Sequence, residues 1–165
     1  MQKIPGINKK ILAGVLSGIG VFIVIIVLNF IIPNFGTIGI PNVQSIASET
    51  GRFITIVIIA PIIETFFFFG IILFFFQEKL FKGKFQFIIS SIITSTIFSL
   101  FHINAYGNFS SSNADFILAG VMGLVFSYQT KFAKSVIPAI VTHVLINLWI
   151  GFITLADVLL GLVII

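Results

Sequence analysis

Four side chains hold most of the chemistry this sequence can offer: Glu64, His102, His143 and Asn147. Glu64 is the sole charge in the apolar run from Phe53 to Phe76 and lies near its middle. A carboxylate that deep in hydrocarbon is costly, so it faces a bundle interior and marks a site more often than a scaffold position. Both histidines of the chain stand in or at the ends of other apolar runs, with Asn147 one turn beyond His143. A carboxylate and an imidazole that share a water can make it nucleophilic, the carboxylate serving as general base. His143 and Asn147 can then donate to the developing oxyanion. Glu64, His102 and His143 also form a His2Glu set, the ligand type of catalytic zinc with a water in the fourth place. Spacing does not choose between a glutamate base and zinc. The bland alternative is a protonated glutamate and two histidines that only bridge neighbouring helices.

The elements that position these groups follow from composition. Of 165 residues, 58% are hydrophobic and 8% are charged, and the mean hydropathy is +1.22. A soluble domain that apolar could not cover its own surface. Only helices or closed barrels satisfy their backbone groups in lipid. Barrel strands would alternate polar and apolar, whereas these apolar runs are continuous, so helices are expected. The fold class predicted is all-α: a polytopic transmembrane bundle of five spans in one domain, 1–165. The absence of cysteine excludes disulfides and thiolate metal sites. A net charge of +4 does not point to nucleic acid, because the basic residues are scattered along the membrane edges.

The spans are expected at about Ile11–Ile32, Phe53–Phe76, Phe85–His102, Phe116–Thr130 and from Ser135 onward. The first apolar run is too long for a signal peptide and lacks a cleavage pattern, so it reads as a retained helix. Its Gly14 and Gly18 suggest close packing on a neighbour. Pro61 should leave the carbonyl of Val57 without its helical partner, one turn before Glu64. Ser91, Ser95, Ser99 and His102 share one helical face, which suits a wet interior or hydroxyls bonding back to their own helix. A short interfacial helix is expected at Ser45–Arg52, and Asn108-Phe109-Ser110 is a glycosylation sequon. Gly151–Ile165 is short for a full span, so it is either a short apolar helix or a sixth crossing. Eight of the nine basic residues fall on one side if the spans alternate. The positive-inside rule makes that side, with the N-terminus, cytoplasmic.

With these motifs in place, the sequence resembles the CPBP intramembrane protease family (CAAX protease and bacteriocin-processing, or Abi). That family includes CAAX prenyl protease 2 and lysostaphin resistance protein A-like proteins. Its first motif, P-x-x-E-E-x-x-F-R-G, is similar to Pro61-Ile-Ile-Glu64-Thr65-Phe-Phe-Phe68-Phe69-Gly70. Its FxxxH resembles Phe98 to His102, and its HxxxN resembles His143 to Asn147. The likeness covers 48–148, read as the catalytic core. It implies that Glu64 and His102 act on a water and that His143 and Asn147 act on an oxyanion. Two positions depart: the family's second Glu is Thr65 here, and its Arg is Phe69. At i and i+4 those two could pair across one turn, so losing both strands no charge in the membrane.

The resulting expectation is an intramembrane endopeptidase that cleaves a peptide or lipidated-protein substrate among membrane lipids, with no cofactor beyond a conditional zinc. The alternative is a non-catalytic membrane partner, such as an immunity or assembly factor that keeps the fold. One tension is geometric. Counting about 1.5 Å per residue from these boundaries, His102 lies far deeper from the cytoplasmic side than His143. A tilted, bent or shifted third helix would be needed to bring them together.

Overall fold

The computed structural model describes residues 6–31, 54–106 and 112–160. Among these, the chain forms five helices and no strand: α1 (Ile7–Ile31), α2 (Thr55–Leu80), α3 (Gln86–Tyr106), α4 (Ser112–Ala133) and α5 (Ile137–Leu160). The stretches Ile7–Val24, Thr55–Leu80 and Phe116–Ala133 are each long and apolar enough to cross a membrane. Gln86–His102 and Ile137–Trp149 are shorter apolar stretches. The expected all-α bundle is what the chain forms. Two expectations change at its ends. Gly151 onward is not a separate short helix, since α5 continues unbroken through Leu160. The polar loop after His102 is shorter than expected, because α3 runs on to Tyr106 and α4 begins at Ser112. The Ser45–Arg52 helix and the sequon lie outside the described residues.

Contacts between helices fix their relative directions. Gly14 and Gly18 of α1 meet Val141 and Leu145 of α5 in the same order, so these two run parallel. Thr65 and Ile56 of α2 meet His143 and Asn147 in reverse order, so α2 is antiparallel to α5. The pairs Gly120–Ser99 and Gly123–Ser95 make α4 antiparallel to α3. The start of α1, the α2–α3 turn and the α4–α5 turn therefore share one end of the bundle. Lys9, Lys10, Lys79, Lys82, Lys84, Lys131 and Lys134 gather there, and the Lys131 ammonium sits 3.7 Å over the Phe87 ring. The last turn of α4 closes through Lys134 (φ 48°), with Ser135 N–H on the Thr130 carbonyl at 3.1 Å. The Ser135 hydroxyl then accepts the Ile137 N–H and starts α5.

The α2–α3 hairpin sets Glu64 and His102 at one depth. The second helix does not end at Phe76 but continues to Leu80, and the connection to Gln86 is tight, turning at Gly83 (φ 95°). Sixteen residues then separate Glu64 from Leu80 and His102 from Gln86, so the two side chains stand level across the hairpin. Between them and the turn, Phe68 stacks edge-on against Phe98 at 5.4 Å.

The core is small and aromatic. Phe68, Phe69, Leu73, Phe98, Met122, Phe126, Ala139 and Ile146 are buried together. Large apolar side chains such as Ile62, Phe66, Phe74, Ile92 and Val121 face outward, which suits contact with lipid. The hydroxyl stripe of α3 does not face a wet interior. Ser91, Ser95 and Ser99 are buried against α4, and Ser99 Oγ donates to the Ser95 carbonyl at 2.9 Å. They serve close approach: a Cβ on Gly123 would stand 2.8 Å from Ser95 Cβ and 2.9 Å from its Cα. Small residues at such crossings let backbones touch and replace the hydrophobic drive that lipid removes. Likewise a Cβ on Gly14 would meet the Pro138 carbonyl at 2.8 Å. Gly123→Val should therefore force α3 and α4 apart and destabilise the bundle by about 1–3 kcal/mol. Thermal unfolding in detergent measures this; an unchanged midpoint would show that the crossing is loose.

Candidate active site

The helix that carries Glu64 is irregular around it. Residues Thr55–Ile59, Phe66–Ile72 and Phe76–Leu80 form wide π-type turns. They are closed by bonds such as Ala60 N–H to Thr55 O and Leu73 N–H to Phe68 O. Junction residues keep right-handed helical dihedrals, so α2 remains one helix. Glu64 sits in the short α-helical segment Ala60–Thr65 between two wide stretches. Such turns often accompany functional sites.

Pro61 explains part of this. It has no N–H to give. In the α register its missing partner would be the Val57 carbonyl, as the sequence suggested. The register is wide here, however, since Ala60 N–H reaches back five residues to Thr55. The next N–H would belong to Pro61 and would meet Ile56. The orphaned carbonyl is therefore that of Ile56, and Asn147 Nδ2 donates to it at 3.2 Å. Asn147 thus ties α5 to α2 at the point where the α2 ladder is broken.

Three of the four predicted residues, Glu64, His102 and His143, converge on one region, whereas Asn147 lies one turn further along α5 against Ile56, well before Glu64 on α2. Glu64 Oε2 lies 3.6 Å from His102 Nε2, with side-chain exposures of 18% and 20%. That is too long for a direct hydrogen bond and suits a shared water. His102 Nδ1 is 2.9 Å from the Phe98 carbonyl. A carbonyl only accepts, so Nδ1 carries a proton, and Nε2 is the nitrogen turned toward Glu64. His143 is buried, and one nitrogen from each imidazole and a Glu64 oxygen all lie within 4.8 Å of one another. The rings of Phe98 and Phe126 flank His143 at 5.9 and 5.0 Å. Next to it, the Thr142 hydroxyl donates to the Gly14 carbonyl and accepts from Gln129, each at 2.9 Å. This holds α1, α4 and α5 together around the site.

Thr65 is the residue that reading the motifs overlooked. Fully buried, its hydroxyl lies 2.9 Å from His143 Nδ1. The signal lay in its position: a small hydroxyl next to a midspan Glu, where the resembling motif has a second carboxylate. Phe69, in the motif's Arg position, is 1% exposed and packs its ring on Phe98 and Phe126 at 5.3 and 5.4 Å. The departing pair is thus filled by one polar contact and one aromatic contact.

A family model for type II CAAX prenyl endopeptidases, Rce1-like, matches residues 46–149. The chain belongs to this family. No curated protein and no solved structure matches it. The Rce1-like family and the apolar helices together make this an integral membrane protein of the CAAX-type intramembrane protease group. All four candidate residues and Thr65 fall inside the Rce1-like match.

The donor types of Glu64, His102 and His143 match a zinc site, but their arrangement fits it poorly. Donors around tetrahedral zinc lie about 3.4 Å apart at bond lengths near 2.1 Å, and these three spread to as much as 4.8 Å.

The bond to Ile56 makes a specific expectation for Asn147. Asn147→Leu should cost about 1–3 kcal/mol by leaving a partly buried carbonyl unpaired. In a Pro61→Ala background the restored N–H can serve Ile56, so the same change should cost less. A double-mutant cycle by thermal unfolding in detergent reads this coupling; strict additivity would detach Asn147 from the break in α2.

Proposed function

We propose that this chain is a Glu/His-type intramembrane endopeptidase that cleaves a peptide or lipidated-protein segment reaching the bundle from the membrane or its edge. The observation that carries this reading is the Glu64–His102 pair at 3.6 Å, partly open, with His143 beside it. A water between the two accepts polarisation from the bare His102 Nε2 and gives its proton to the Glu64 carboxylate as its oxygen attacks the scissile carbonyl. The tetrahedral oxyanion that forms is met by a proton donor on His143, and Asn147 stands one turn further along the same helix. Collapse breaks the C–N bond, and the proton held on Glu64 passes to the leaving amine. Water enters one product as hydroxyl and the other as hydrogen, so the step balances without a cofactor.

In this reading the lysine-rich end of the bundle faces the cytoplasm, with the chain's N-terminus on that side. The substrate class follows the family's description, a prenylated C-terminal segment being the first to try.

Purified protein in detergent should cleave a fluorogenic prenylated CAAX peptide, and Glu64→Gln should reduce kcat by at least about 100-fold, the scale of a lost general base. Full activity in that variant would eliminate Glu64 as the base. Chelation with 1,10-phenanthroline should leave the rate unchanged; loss of activity that zinc restores would favour a metal-bound water held by Glu64, His102 and His143. The replaced Thr65/Phe69 pair favours one further reading, a fold kept for a non-catalytic partnership. That reading would be preferred if wild type cleaves nothing while Glu64→Gln and His143→Ala retain the cellular phenotype of the parent.

A further inference from the structure

The mechanism asks His143 to donate a proton-bearing nitrogen, and a neighbouring side chain decides whether it can. Thr65 Oγ1 and His143 Nδ1 are 2.9 Å apart, with the threonine fully buried and the histidine 6% exposed. A hydroxyl can accept from a protonated Nδ1 or donate to a bare one, and the two arrangements leave opposite ring nitrogens protonated. Helical hydroxyls commonly send their proton to the carbonyl four residues back, as Thr96 does to Ile92 and Ser99 does to Ser95, each at 2.9 Å. For Thr65 that carbonyl belongs to Pro61, and no such bond forms; among the described residues its hydroxyl meets the His143 ring instead. Most buried hydroxyls find an acceptor, although those of Ser91, Thr94, Ser95 and Ser127 find none among the described residues, and Thr65 has one within reach. Donation by Thr65 satisfies both atoms, whereas donation by Nδ1 strands the hydroxyl proton in a dry site.

We propose that Thr65 is a positioning residue: its hydroxyl donates to His143 Nδ1 and holds the neutral ring as the Nε2–H tautomer. The two histidines then stand in opposite tautomers. Phe98 holds a proton on His102 Nδ1, so in the peptidase reading its Nε2 is the nitrogen left for the water, and Thr65 fixes His143 with a protonated Nε2 for the oxyanion. The catalytic part of this inference rests on the peptidase reading; the tautomer itself does not. It also leaves His143 without a free lone pair, because one nitrogen accepts a hydrogen bond and the other carries hydrogen. The Glu64, His102, His143 set is then a metal set in residue types alone. Thr65 takes over, with a neutral hydroxyl, a supporting role at a position where the resembling motif places a charged group.

The test is nitrogen NMR on detergent-solubilised protein labelled with nitrogen-15 in its histidine rings, at mildly alkaline pH. The His143 signals are identified by difference from a His102→Gln variant. Wild type and Thr65→Ser should show a bare Nδ1 and a protonated Nε2 on His143. Thr65→Val, close in shape but without the hydroxyl, should lose that preference. On the prenylated peptide, Thr65→Val should lower kcat by about 10- to 100-fold, the range seen when a partner that orients a functional histidine is removed. KM should change little, and Thr65→Ser should recover most of the rate. A protonated Nδ1 in wild type overturns the proposal, as does a Thr65→Val protein with unchanged tautomer. If Thr65→Val fails to fold, the wild-type and Thr65→Ser spectra still decide. If no variant cleaves any peptide, the peptidase reading falls while the ring signals judge the Thr65 bond separately.

Discussion

Hydrocarbon offers no hydrogen bonds, so the backbone groups of the bundle must find their partners inside the protein, even where buried hydroxyls such as those of Ser91 and Thr94 find none among the described residues. This constraint explains more of the site than any single catalytic argument. Pro61 removes one N–H from α2, the ladder widens, and the carbonyl of Ile56 is taken up by Asn147 on another helix. Burial of the Thr65 hydroxyl without a backbone acceptor commits it to His143. The Phe98 carbonyl takes His102 Nδ1. Each bond satisfies a local need, and together they orient the groups that surround Glu64. Satisfaction of the backbone and preparation of the site are here one process.

Charge follows the same logic. An unpaired ion in this interior would be costly, so a carboxylate and an arginine can only be lost together. The space they leave is filled in two ways. Phe69 joins the stack formed with Phe98 and Phe126, which walls one side of His143. Thr65 keeps a polar contact but carries no charge. Around His143 the chain relies on packing and a neutral hydrogen bond at the two positions where the resembling motif has charged residues.

Much of this was legible in the sequence. Continuous apolar runs showed a helical bundle, since the strands of a barrel would alternate polar and apolar residues. Glu64, His102, His143 and Asn147 stood out because polar groups in such runs are rare, and the structure brings the first three together while Asn147 meets Ile56. The Gly14 and Gly18 pair foretold a close crossing but not its partner, which is α5. Two features were hidden. The wide turns of α2 depend on which carbonyl each N–H selects, and residue types alone do not reveal that choice. The serine stripe of α3 looked hydrophilic by periodicity, yet serines are also small, and opposite Gly120 and Gly123 size decides. The level placement of Glu64 and His102 was hidden by ending α2 too soon, because residues Gln77 to Leu80 look like loop and are helix.

The equal arms of the α2–α3 hairpin carry an implication for how this chain can change over time. Glu64 and His102 face each other because each stands sixteen positions from its end of the Leu80–Gln86 turn. One residue gained in either arm would swing its Glu64 or His102 side chain by about 100° and lift it by about 1.5 Å. The bulge-like turns of α2 give that arm a way to absorb such a change locally, whereas the α3 arm is regular α-helix from Gln86 to His102. Indels in homologues should therefore be tolerated in the short turn, rare in the third helix, and where present in the second, accompanied by a gained or lost wide turn.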